Sequence, residues 1–454
     1  MSEYYSDKVY FIGIGGISMS SLALILLERG VTVAGFDFKK SDITEALEKR
    51  GVTVHYTFAP DNQDSFDTVV FTAAMSKDDP EMVLARERGA RILSRAELLG
   101  AIMADYRHSI GVAGTHGKST TTGMLSEIFS SAKADATVLA GAIIPSLDST
   151  YRIGRGDTAI FEACEYKNSY HAMRPSIRVV LNTELDHVDF FGNIDNVIAS
   201  FRTYLDTPSA SGENIAVINA DNANCLAAAK GIGTEVHTFS LADKTADFYA
   251  ENVVMNGGYA SFTIMAKGKP YAAVTLGVPG MHNVSNALAA SAAAYLCGIP
   301  SDAVAAGLAA FHGVKRRFET LGHTASGAAI IDDYAHHPDE VTATLKAARA
   351  VAGDGKVYCI FQPHTYSRFE ALMESFAASL SAADEVIMAD IYAAREQNVN
   401  GTHCSDIKKY LPKAQYVGGF DDIAKYVREN AKKGDLVLTM GAGDVYLAAG
   451  GMLG

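Results

Sequence analysis

The chain has 454 residues, of which 48% are hydrophobic and 20% are charged, and its formal net charge at pH 7 is −13. The length predicts about three domains with ample core, and the acidic balance argues against a nucleic-acid-binding protein because phosphate backbones repel such a surface. The five cysteines are scattered, which predicts reduced thiols. The start has no basic and apolar leader, and the apolar runs are too short for a bilayer. Together these features predict a soluble cytoplasmic protein with no membrane insertion.

The N-terminal segment begins with an alternation of strand, glycine turn and helix. Residues 9–16 predict a buried strand that runs into a glycine turn, residues 17–29 predict a helix, and residues 31–37 predict a second strand. This is the start of a Rossmann-type unit, and Asp37 lies where such folds place a ribose-binding carboxylate. The segment therefore predicts a nucleotide site.

The glycine turn matches the dinucleotide fingerprint only in part. Ser18 stands where that fingerprint has its third glycine, so another nucleotide ligand is favoured over a nicotinamide cofactor, which stays open as an alternative. A further strand is predicted over residues 68–74, and it ends in small residues. Thr72 and Ala73 either pack there or let a ligand approach the backbone closely.

The stretch from Gly114 to Thr122 is typical of a loop that holds a polyphosphate. It lies between a predicted strand at 109–113 and a segment with helical spacing at 123–129. A glycine turn in this position directs backbone N–H groups and the positive end of a helix dipole at one anion. Lys118 adds a mobile cation and Ser119 offers a hydroxyl to Mg²⁺. The loop is shorter than the general pattern, because Val112 stands where that pattern has its first glycine.

Acidic residues follow the next two predicted strands. One strand ends in Glu162 and Glu165, and another runs from residue 177 into a polar segment that contains His187. Both clusters lie at carboxyl ends of strands, where open α/β sheets bind ligands. Since Mg²⁺ prefers oxygen ligands, Glu162 is a sensible partner for Ser119. His187 either completes this site or is a satisfied structural residue.

Two features between residues 278 and 319 have alternative interpretations. Asn283 lies at the start of a long alanine-rich helix, where its amide either reads an adenine edge or caps the helix. Residues 312–319 form a small basic cluster that includes Arg316. This cluster is either a solvated turn or a contact to a phosphate or a negative intermediate.

The last third alternates strands, which run into polar loops, with helices. Predicted strands begin at residues 329 and 357, and two more are residues 385–392 and 435–444. A helix is predicted over 339–351. Regular alternation of this kind predicts a second Rossmann-like sheet. Polar residues at several strand ends of one domain are hard to explain by packing alone.

In their order along the chain, these motifs resemble those of the Mur ligases. The resemblance covers about Val9 to Asp444 and rests on the segments 13–20, 114–121, 162–166, 182–189, 282–283, 332–338 and 361–368. It implies an α/β fold with three domains. These are a Rossmann-like UDP-substrate domain at 1–105, a central domain like that of phosphate-loop ATPases with a mostly parallel sheet at 106–314, and a Rossmann-like amino-acid-binding domain at 315–454.

The resemblance also implies an activity. A ligase of this family uses ATP and Mg²⁺ to join L-alanine to the lactyl carboxylate of UDP-N-acetylmuramate through an acyl phosphate, in peptidoglycan precursor synthesis. The domains are expected to close around the acyl phosphate and exclude water, and we expect a monomer or a weak homodimer. Several sister ligases carry a carbamylated lysine, but this chain has no lysine between Lys167 and Lys230. Some alanine-adding relatives have an arginine where this chain has Thr365. Recognition of the amino-acid carboxylate then falls more heavily on Arg368, and alanine is less strongly distinguished from glycine or serine.

By the same resemblance, each ligand has a set of binding residues. The UDP-substrate set is Gly13, Gly15, Gly16, Ser18, Met19, Asp37, Thr72 and Ala73. The ATP set is Gly114, Thr115, His116, Gly117, Lys118, Ser119, Thr120, Asn283, Arg316 and Asp333, and the metal set is Ser119, Glu162 and His187. The amino-acid set is Tyr334, His336 and Arg368, and catalytic roles fall to Lys118, His187, His336 and Arg368. His336 is expected to accept the amine proton or orient the amine, and Arg368 to bind the carboxylate.

Three rival interpretations stay open at the level of sequence. A sibling ligase attaches a preformed tripeptide, although residues 361–368 favour addition of a single amino acid. An NAD-dependent oxidoreductase is suggested by the N-terminal turn, but Ser18 and the separate phosphate loop argue against it. A nucleotide-regulated binding protein would bind ATP without releasing phosphate.

Overall fold

The computed structural model of the protein describes residues 3–72, 75–76, 78–394 and 396–454, and of Asp189 it describes the backbone. The chain divides into two compact units. The first comprises the residues up to 143 together with 147–248 and 289–304, and the second comprises 144–146, 249–288 and 305–454. Across the described residues, no helix combines the length and the apolar character needed to cross a membrane.

The first unit begins with a parallel five-stranded sheet in the order β3-β2-β1-β4-β5. Its elements are β1 Lys8–Ile12, α1 Ile17–Glu28, β2 Thr32–Phe36, α2 Asp42–Lys49, β3 Thr53–His55, β4 Thr68–Phe71, α3 Pro80–Glu87, β5 Arg91–Ser94 and α4 Arg95–Ala104. The chain builds one side of β1 with β2 and β3 and the other side with β4 and β5, so the carboxyl end of β1 is a topological switch point. The predicted Rossmann-like sheet is confirmed.

The first strand runs into a glycine turn, as the sequence pattern predicts. The strand ends at Ile12, and the turn follows it. Gly13 has a positive φ of 82°, and the N–H groups of Gly13 and Ile14 both donate to the carbonyl oxygen of Phe36, at 2.8 and 3.0 Å. The chain therefore turns out of the strand at the first glycine.

The rest of the first unit contains a second, mostly parallel set of strands. Its elements are β6 His108–Ala113, α5 Lys118–Ser131, β7 Thr137–Ile144, β8 Ser149–Arg152, β9 Thr158–Glu162, β10 Ile177–Val180, α6 Val188–Phe191, α7 Ile194–Asp206, β11 Ile215–Asn219, α8 Ala223–Ala229 and β12 Glu235–Ser240. The strand order is β12-β11-β10-β6-β9-β7-β8. Because β6 lies between β10 and β9, the loop after β6 opens between the carboxyl ends of both neighbours.

Three long strands and two helices follow in the chain. They are β13 Phe248–Asn256, β14 Tyr259–Ala266, β15 Lys269–Pro279, α9 Met281–Leu296 and α10 Ser301–Ala310. β14 pairs with β13 and, in the antiparallel direction, with β15. The predicted alanine-rich helix is α9, and it begins two residues before Asn283.

The second unit carries the last sheet, in the order β16-β17-β20-β18-β19. Its elements are β16 Glu319–His323, β17 Ala329–Asp333, α11 Pro338–Ala352, β18 Val357–Phe361, α12 Tyr366–Leu380, β19 Glu385–Met388, α13 Phe420–Asn430, β20 Leu436–Met440 and α14 Leu447–Gly450. Only the edge pair β16–β17 is antiparallel among the pairings described for this sheet. Separate apolar clusters cover the two faces of the sheet, as expected for parallel strands with helices on both sides.

Two predicted strands of this sheet are shorter than expected. The strand predicted at 385–392 ends at Met388, and the strand predicted at 435–444 ends at Met440. The polar residues that follow lie in loops at the carboxyl edge. The sheet itself is the second Rossmann-like sheet that the alternation predicts.

Candidate functional site

The phosphate loop, defined here as residues 114–117, connects β6 directly to α5. Gly114 and Gly117 have positive φ values of 141° and 85°, and Gly117 is the N-cap of α5. A Cβ atom on Gly114 would lie 3.0 Å from the Cβ of Leu181. The helix begins at Lys118, earlier than the segment with helical spacing suggested, so Lys118, Ser119 and Thr120 form its first turn. The free N–H groups of this turn and the helix dipole favour an anion.

The segment after β10 holds the phosphate loop by hydrogen bonds. The His116 N–H donates to Asn182 Oδ1 at 2.7 Å, and Asn182 Nδ2 donates to the His116 carbonyl at 3.1 Å. The Thr115 N–H donates to the Asn182 carbonyl at 3.1 Å, and the Glu184 N–H donates to Thr115 Oγ1 at 2.9 Å. The segment after β10 therefore holds the shape of the loop.

Lys118 makes four close polar contacts through its ammonium group. Nζ lies 2.6 Å from the Gly114 carbonyl oxygen and 3.1 Å from that of Thr115. It also lies 2.9 and 3.2 Å from the two carboxylate oxygens of Glu165, a side chain that is only 3% exposed. Burial alone would lower the pKa of Lys118, but the negative charge of Glu165 and its neighbours outweighs it and raises that pKa to about 12. Lys118 is thus a cation at neutral pH.

A second carboxylate faces the first turn of α5. Ser119 Oγ donates to Glu162 Oε2 at 2.8 Å, and the Gly141 N–H donates to the same oxygen at 2.7 Å. A Cβ atom on Gly141 would lie 2.7 Å from Glu162 Oε1, so only glycine leaves room for this carboxylate. A hydroxyl and a carboxylate side by side are hard oxygen donors, and they fit Mg²⁺.

His187 lies on the other side of Glu165. Its Nε2 is 3.7 Å from Glu165 Oε1 and 3.8 Å from Asp186 Oδ2, and its ring contacts that of Tyr166 with centroids 4.6 Å apart. His187, Lys167 and Asn168 are not glycines, yet their φ values are 49°, 52° and 57°. Such left-handed residues are strained and cluster at functional sites.

The N-terminal glycine turn is closed by a carboxylate. The Gly15 N–H donates to Asp37 Oδ2 at 2.8 Å, and a Cβ atom on Gly13 would lie 2.7 Å from Thr72 Cγ2. Arg95 Nη1 donates to Ser18 Oγ at 3.0 Å. The glycine turn at the carboxyl end of β1 therefore lies next to a carboxylate, Asp37, and a guanidinium group, Arg95.

The remaining residues predicted for the UDP-substrate differ in exposure. Gly16 is exposed at the start of α1, whereas the side chain of Met19 is buried in the core. Ala73 lies outside the described residues. The sequence pattern did not predict Arg95, which follows β5, because its contact with Ser18 spans 77 residues.

In the second unit, Arg316 ties two loops together. Its Nη1 and Nη2 donate to the carbonyls of Gly443 and Gly441 at 2.9 and 2.7 Å, and its Nε donates to Asp332 Oδ2 at 3.1 Å. The guanidinium lies over the rings of Tyr334 and Tyr446, 5.0 and 4.6 Å from their centroids. Arg316 therefore organises this loop cluster.

Asp333 is buried and accepts several hydrogen bonds. Its carboxylate oxygens accept the N–H groups of Phe318 at 2.7 Å and Ala335 at 2.8 Å, and the hydroxyl of Thr344 at 3.3 Å. Burial raises the pKa of Asp333 to about 6, although Arg317 and the two N–H groups oppose the shift. These contacts give Asp333 a clear role in shaping the loop after β17.

His336, His364 and Arg368 form a cluster at the carboxyl edge of the last sheet. His336 Nδ1 lies 3.0 Å from the Tyr334 carbonyl oxygen and 3.3 Å from Glu340 Oε2. The rings of His336 and His364 are 6.0 Å apart, and Arg368 Nη1 lies 3.3 Å from His364 Nδ1. The structure thus brings together His336 and Arg368, as predicted for one ligand, and adds His364.

Both histidines of this cluster are neutral at physiological pH. Burial lowers the pKa of His336, and Arg368 lowers it further, while Glu340 opposes the shift. Burial, His336 and Arg368 lower the pKa of His364 to about 4. A neutral imidazole is able to accept a proton.

Asn283 is buried and has protein partners for both amide atoms. Nδ2 donates to the Pro279 carbonyl at 2.7 Å, and Oδ1 accepts from Asn286 Nδ2 at 3.1 Å. Its amide therefore links Pro279, before the helix, to Asn286 within α9. The sequence left both a helix cap and an adenine contact open, and neither of these bonds is the bond to a backbone N–H that a helix cap makes.

Comparison with protein families gives three matches that follow one another along the chain. Residues 8–107 match a model described as the Mur ligase family, catalytic domain. Residues 112–294 match the Mur ligase middle domain, and residues 316–443 match the Mur ligase, glutamate ligase domain. Together they account for most of the sequence.

Curated relatives match nearly the whole chain. It is 46% identical to the UDP-N-acetylmuramate–L-alanine ligase of Agathobacter rectalis over 443 residues, which cover 96% of this chain and 95% of the relative. It is 43% identical to the protein of the same name from Caldicellulosiruptor saccharolyticus over 444 residues, which cover 97% and 96%.

Solved structures show the same relationship. The UDP-N-acetylmuramate–alanine ligase of Thermotoga maritima matches with a TM-score of 0.77 at 28% identity and 97% coverage of each chain. A murein peptide ligase from Psychrobacter arcticus matches with a TM-score of 0.67 at 27% identity, again with 97% coverage of each chain.

Proposed function

This chain belongs to the Mur ligase family, and we propose that it is the ligase that joins L-alanine to the lactyl carboxylate of UDP-N-acetylmuramate with conversion of ATP to ADP and phosphate. The observation that carries the proposal is the phosphate loop with the first turn of α5, where Lys118 contacts the loop carbonyls and Ser119 donates to Glu162. Relatives of that name align over nearly the full length, which supports the choice of substrates.

The three predicted domains divide the ligands among them. Residues 1–105 bind UDP-N-acetylmuramate, with the nucleotide at the Gly13–Ser18 turn beside Asp37. Residues 106–314 bind ATP on the phosphate loop, and residues 315–454 bind L-alanine. The protein works in the cytoplasm, where it meets all three substrates, as a monomer or a weak homodimer.

The first step activates a carboxylate. Its oxygen attacks the γ-phosphorus of ATP, the bond to the ADP oxygen breaks, and an acyl phosphate forms. Two anions must approach each other, and the Lys118 ammonium and the N–H groups of the loop offset their repulsion and stabilise the transferred phosphoryl group. When bound, Mg²⁺ neutralises phosphate charge, and the residues that would hold it are Ser119, Glu162 and His187.

The second step forms the amide. The alanine ammonium loses a proton, its nitrogen attacks the acyl carbon, and the tetrahedral intermediate expels inorganic phosphate. His336 accepts or orients the amine proton, because burial keeps its imidazole neutral. Arg368 binds the carboxylate of alanine through a guanidinium fork.

Phosphate release from ATP tests this function directly. With UDP-N-acetylmuramate and Mg²⁺ present, we expect release to depend on L-alanine and the product to be UDP-N-acetylmuramoyl-alanine. Glycine and serine should be assayed beside alanine to measure selectivity. One methyl group changes the binding free energy of such substrates by only about 1 to 3 kcal/mol. If the murein tripeptide supports release and alanine does not, the chain is instead a peptide ligase. Nucleotide binding without release under any of these conditions would leave only a binding protein.

A further inference from the structure

Glu165 is the residue near the phosphate loop whose contacts the proposed reaction does not explain. It lies three residues beyond the end of β9 at Glu162, at the start of the turn Tyr166–Ala172. Its side chain is buried, and both of its oxygens contact Lys118 Nζ. The sequence pattern placed it only among the acids at this edge of the sheet.

The ammonium of Lys118 has no hydrogen to spare in this arrangement. An ammonium group has three N–H donors, and Nζ has four acceptor oxygens within 3.2 Å: two carbonyls of the loop and two oxygens of Glu165. A phosphate that binds Lys118 must therefore displace at least one of them. Thr115 is bonded to the segment after β10 through its N–H and its hydroxyl. Gly114 lies between Thr115 and Ala113, whose carbonyl accepts the Leu181 N–H, so the backbone on both sides of its carbonyl is held.

Glu165 is the partner that a phosphate displaces most readily. It carries the same sign of charge as the phosphate, so the two repel each other when both approach one cation. Its Oε1 is also 3.7 Å from His187 Nε2. After Lys118 is released, the Glu165 carboxylate therefore still has the His187 imidazole as a polar neighbour.

We propose that Glu165 is a positioning residue, which holds the Lys118 ammonium in an ion pair while no nucleotide is bound. When ATP binds, a phosphate oxygen replaces the Glu165 carboxylate as the partner of this ammonium. The inference rests on the proposed ATP site, but its test measures nucleotide binding alone. The buried ion pair keeps the cation charged and oriented in the free protein. In return, the pair weakens nucleotide binding, because it must be broken first.

The test is the affinity of the full-length protein for ADP with Mg²⁺, measured by calorimetry without the other substrates. Replacing Glu165 by glutamine keeps the shape of the side chain and removes its charge. We expect E165Q to bind ADP about tenfold more tightly than the wild type, which corresponds to ~1.4 kcal/mol. The control is E127Q, which removes a carboxylate from α5, the helix that carries Lys118, and should leave the affinity unchanged.

A double-mutant cycle separates exchange from simple repulsion between Glu165 and phosphate. In a K118M background there is no ammonium to exchange, so E165Q should tighten binding much less than it does with Lys118 present. Equal gains in both backgrounds, or weaker binding by E165Q in the wild-type background, would overturn the exchange. If the wild type itself binds no nucleotide, the proposed function fails instead.

A crystal structure of the wild type with ADP provides a check that does not depend on any variant. Lys118 Nζ should lie beyond ion-pair distance of Glu165 and contact a phosphate oxygen. Persistence of the distances of 2.9 and 3.2 Å seen here would contradict the proposal.

Discussion

Lys118 in the first unit and Arg316 in the second make the same kinds of contact, since each donates to two backbone carbonyls and to one buried carboxylate. They differ in where the carbonyls lie. Those of Lys118 are four and three residues away, whereas those of Arg316 are 125 and 127 residues away. Lys118 can release Glu165 and still contact the carbonyls of its own loop, whereas release of Arg316 from its carbonyls would separate distant parts of the chain. Similar chemistry thus marks an exchangeable cation in one place and a structural clamp in the other.

The largest effect is expected for Lys118. K118A should lower the rate of UDP-N-acetylmuramoyl-alanine formation by about a thousandfold or more, because the main cation on the transferred phosphoryl group is lost. The assay is phosphate release with all substrates present. K133A, at an exposed position just beyond the end of the same helix, should retain the wild-type rate. A K118A protein that works at normal speed would contradict the proposed chemistry.

Arg316 should matter first for stability. R316A leaves Asp332 buried without its cation and removes the donors of two carbonyls, so the free energy of unfolding should fall by about 3 to 5 kcal/mol. Urea denaturation measures it. The neighbouring R317A serves as the control, because Arg317 pairs with Glu340 at 3.5 Å in a partly exposed position and such pairs contribute about 1 kcal/mol or less. Equal losses for both variants would remove the distinction between the two arginines.

Asp333 tests the clamp region through pH. Its folded-state pKa of about 6 lies above the ordinary 3.8, so the folded protein binds the proton more tightly than the unfolded chain. Stability from this group is therefore present at low pH and is lost as pH rises through the folded pKa. Relative to D333N, the wild type should lose about 2 kcal/mol of unfolding free energy between about pH 4.5 and pH 7. Parallel pH profiles for the two proteins would show that Asp333 does not titrate in this way.

His336 lies in the second unit, but the hydrogen bond and ion pair of its ring are local, with partners two and four residues away. By the comparison above, it should act in catalysis rather than in holding the fold. H336A should lower turnover by about a hundredfold and leave the urea midpoint close to that of the wild type. Burial lowers the pKa of His336, so wild-type turnover should decline as pH falls below the ordinary histidine value and the imidazole becomes protonated. H323A, at an exposed position on β16, is the matched control. Unchanged turnover of H336A would exclude His336 from the mechanism.

The sequence predicted best what is built from neighbouring residues. The phosphate loop and the glycine turn after β1 are contiguous, and their geometry depends on glycines with positive φ that stand in the motif itself. The alternation of apolar strands and helices likewise predicted the two outer sheets. The ends of strands were predicted less well. The residues after β19 and β20 continue the sequence pattern of a strand, but they do not pair with a neighbouring strand.

The sequence could not predict partners that come from far along the chain. Arg95 reaches Ser18 across 77 residues, and Asn182 holds His116 across 66. Asp332 was visible as an acid at the end of a strand, but nothing local indicated that it would hold Arg316. Long-range pairings of this kind follow from the strand order, which a single sequence does not specify.

The packing of Gly100 has a consequence for communication within the first unit. Gly100 lies in the middle of α4, beside the first sheet, and a Cβ atom there would overlap the carbonyl oxygen of Ala172. Ala172 ends the same short turn that begins just after Glu165. The turn Tyr166–Ala172 therefore meets α4 at its last residue and begins beside Glu165, the partner of Lys118. A substitution that enlarges residue 100 would therefore press on the segment that begins beside Glu165.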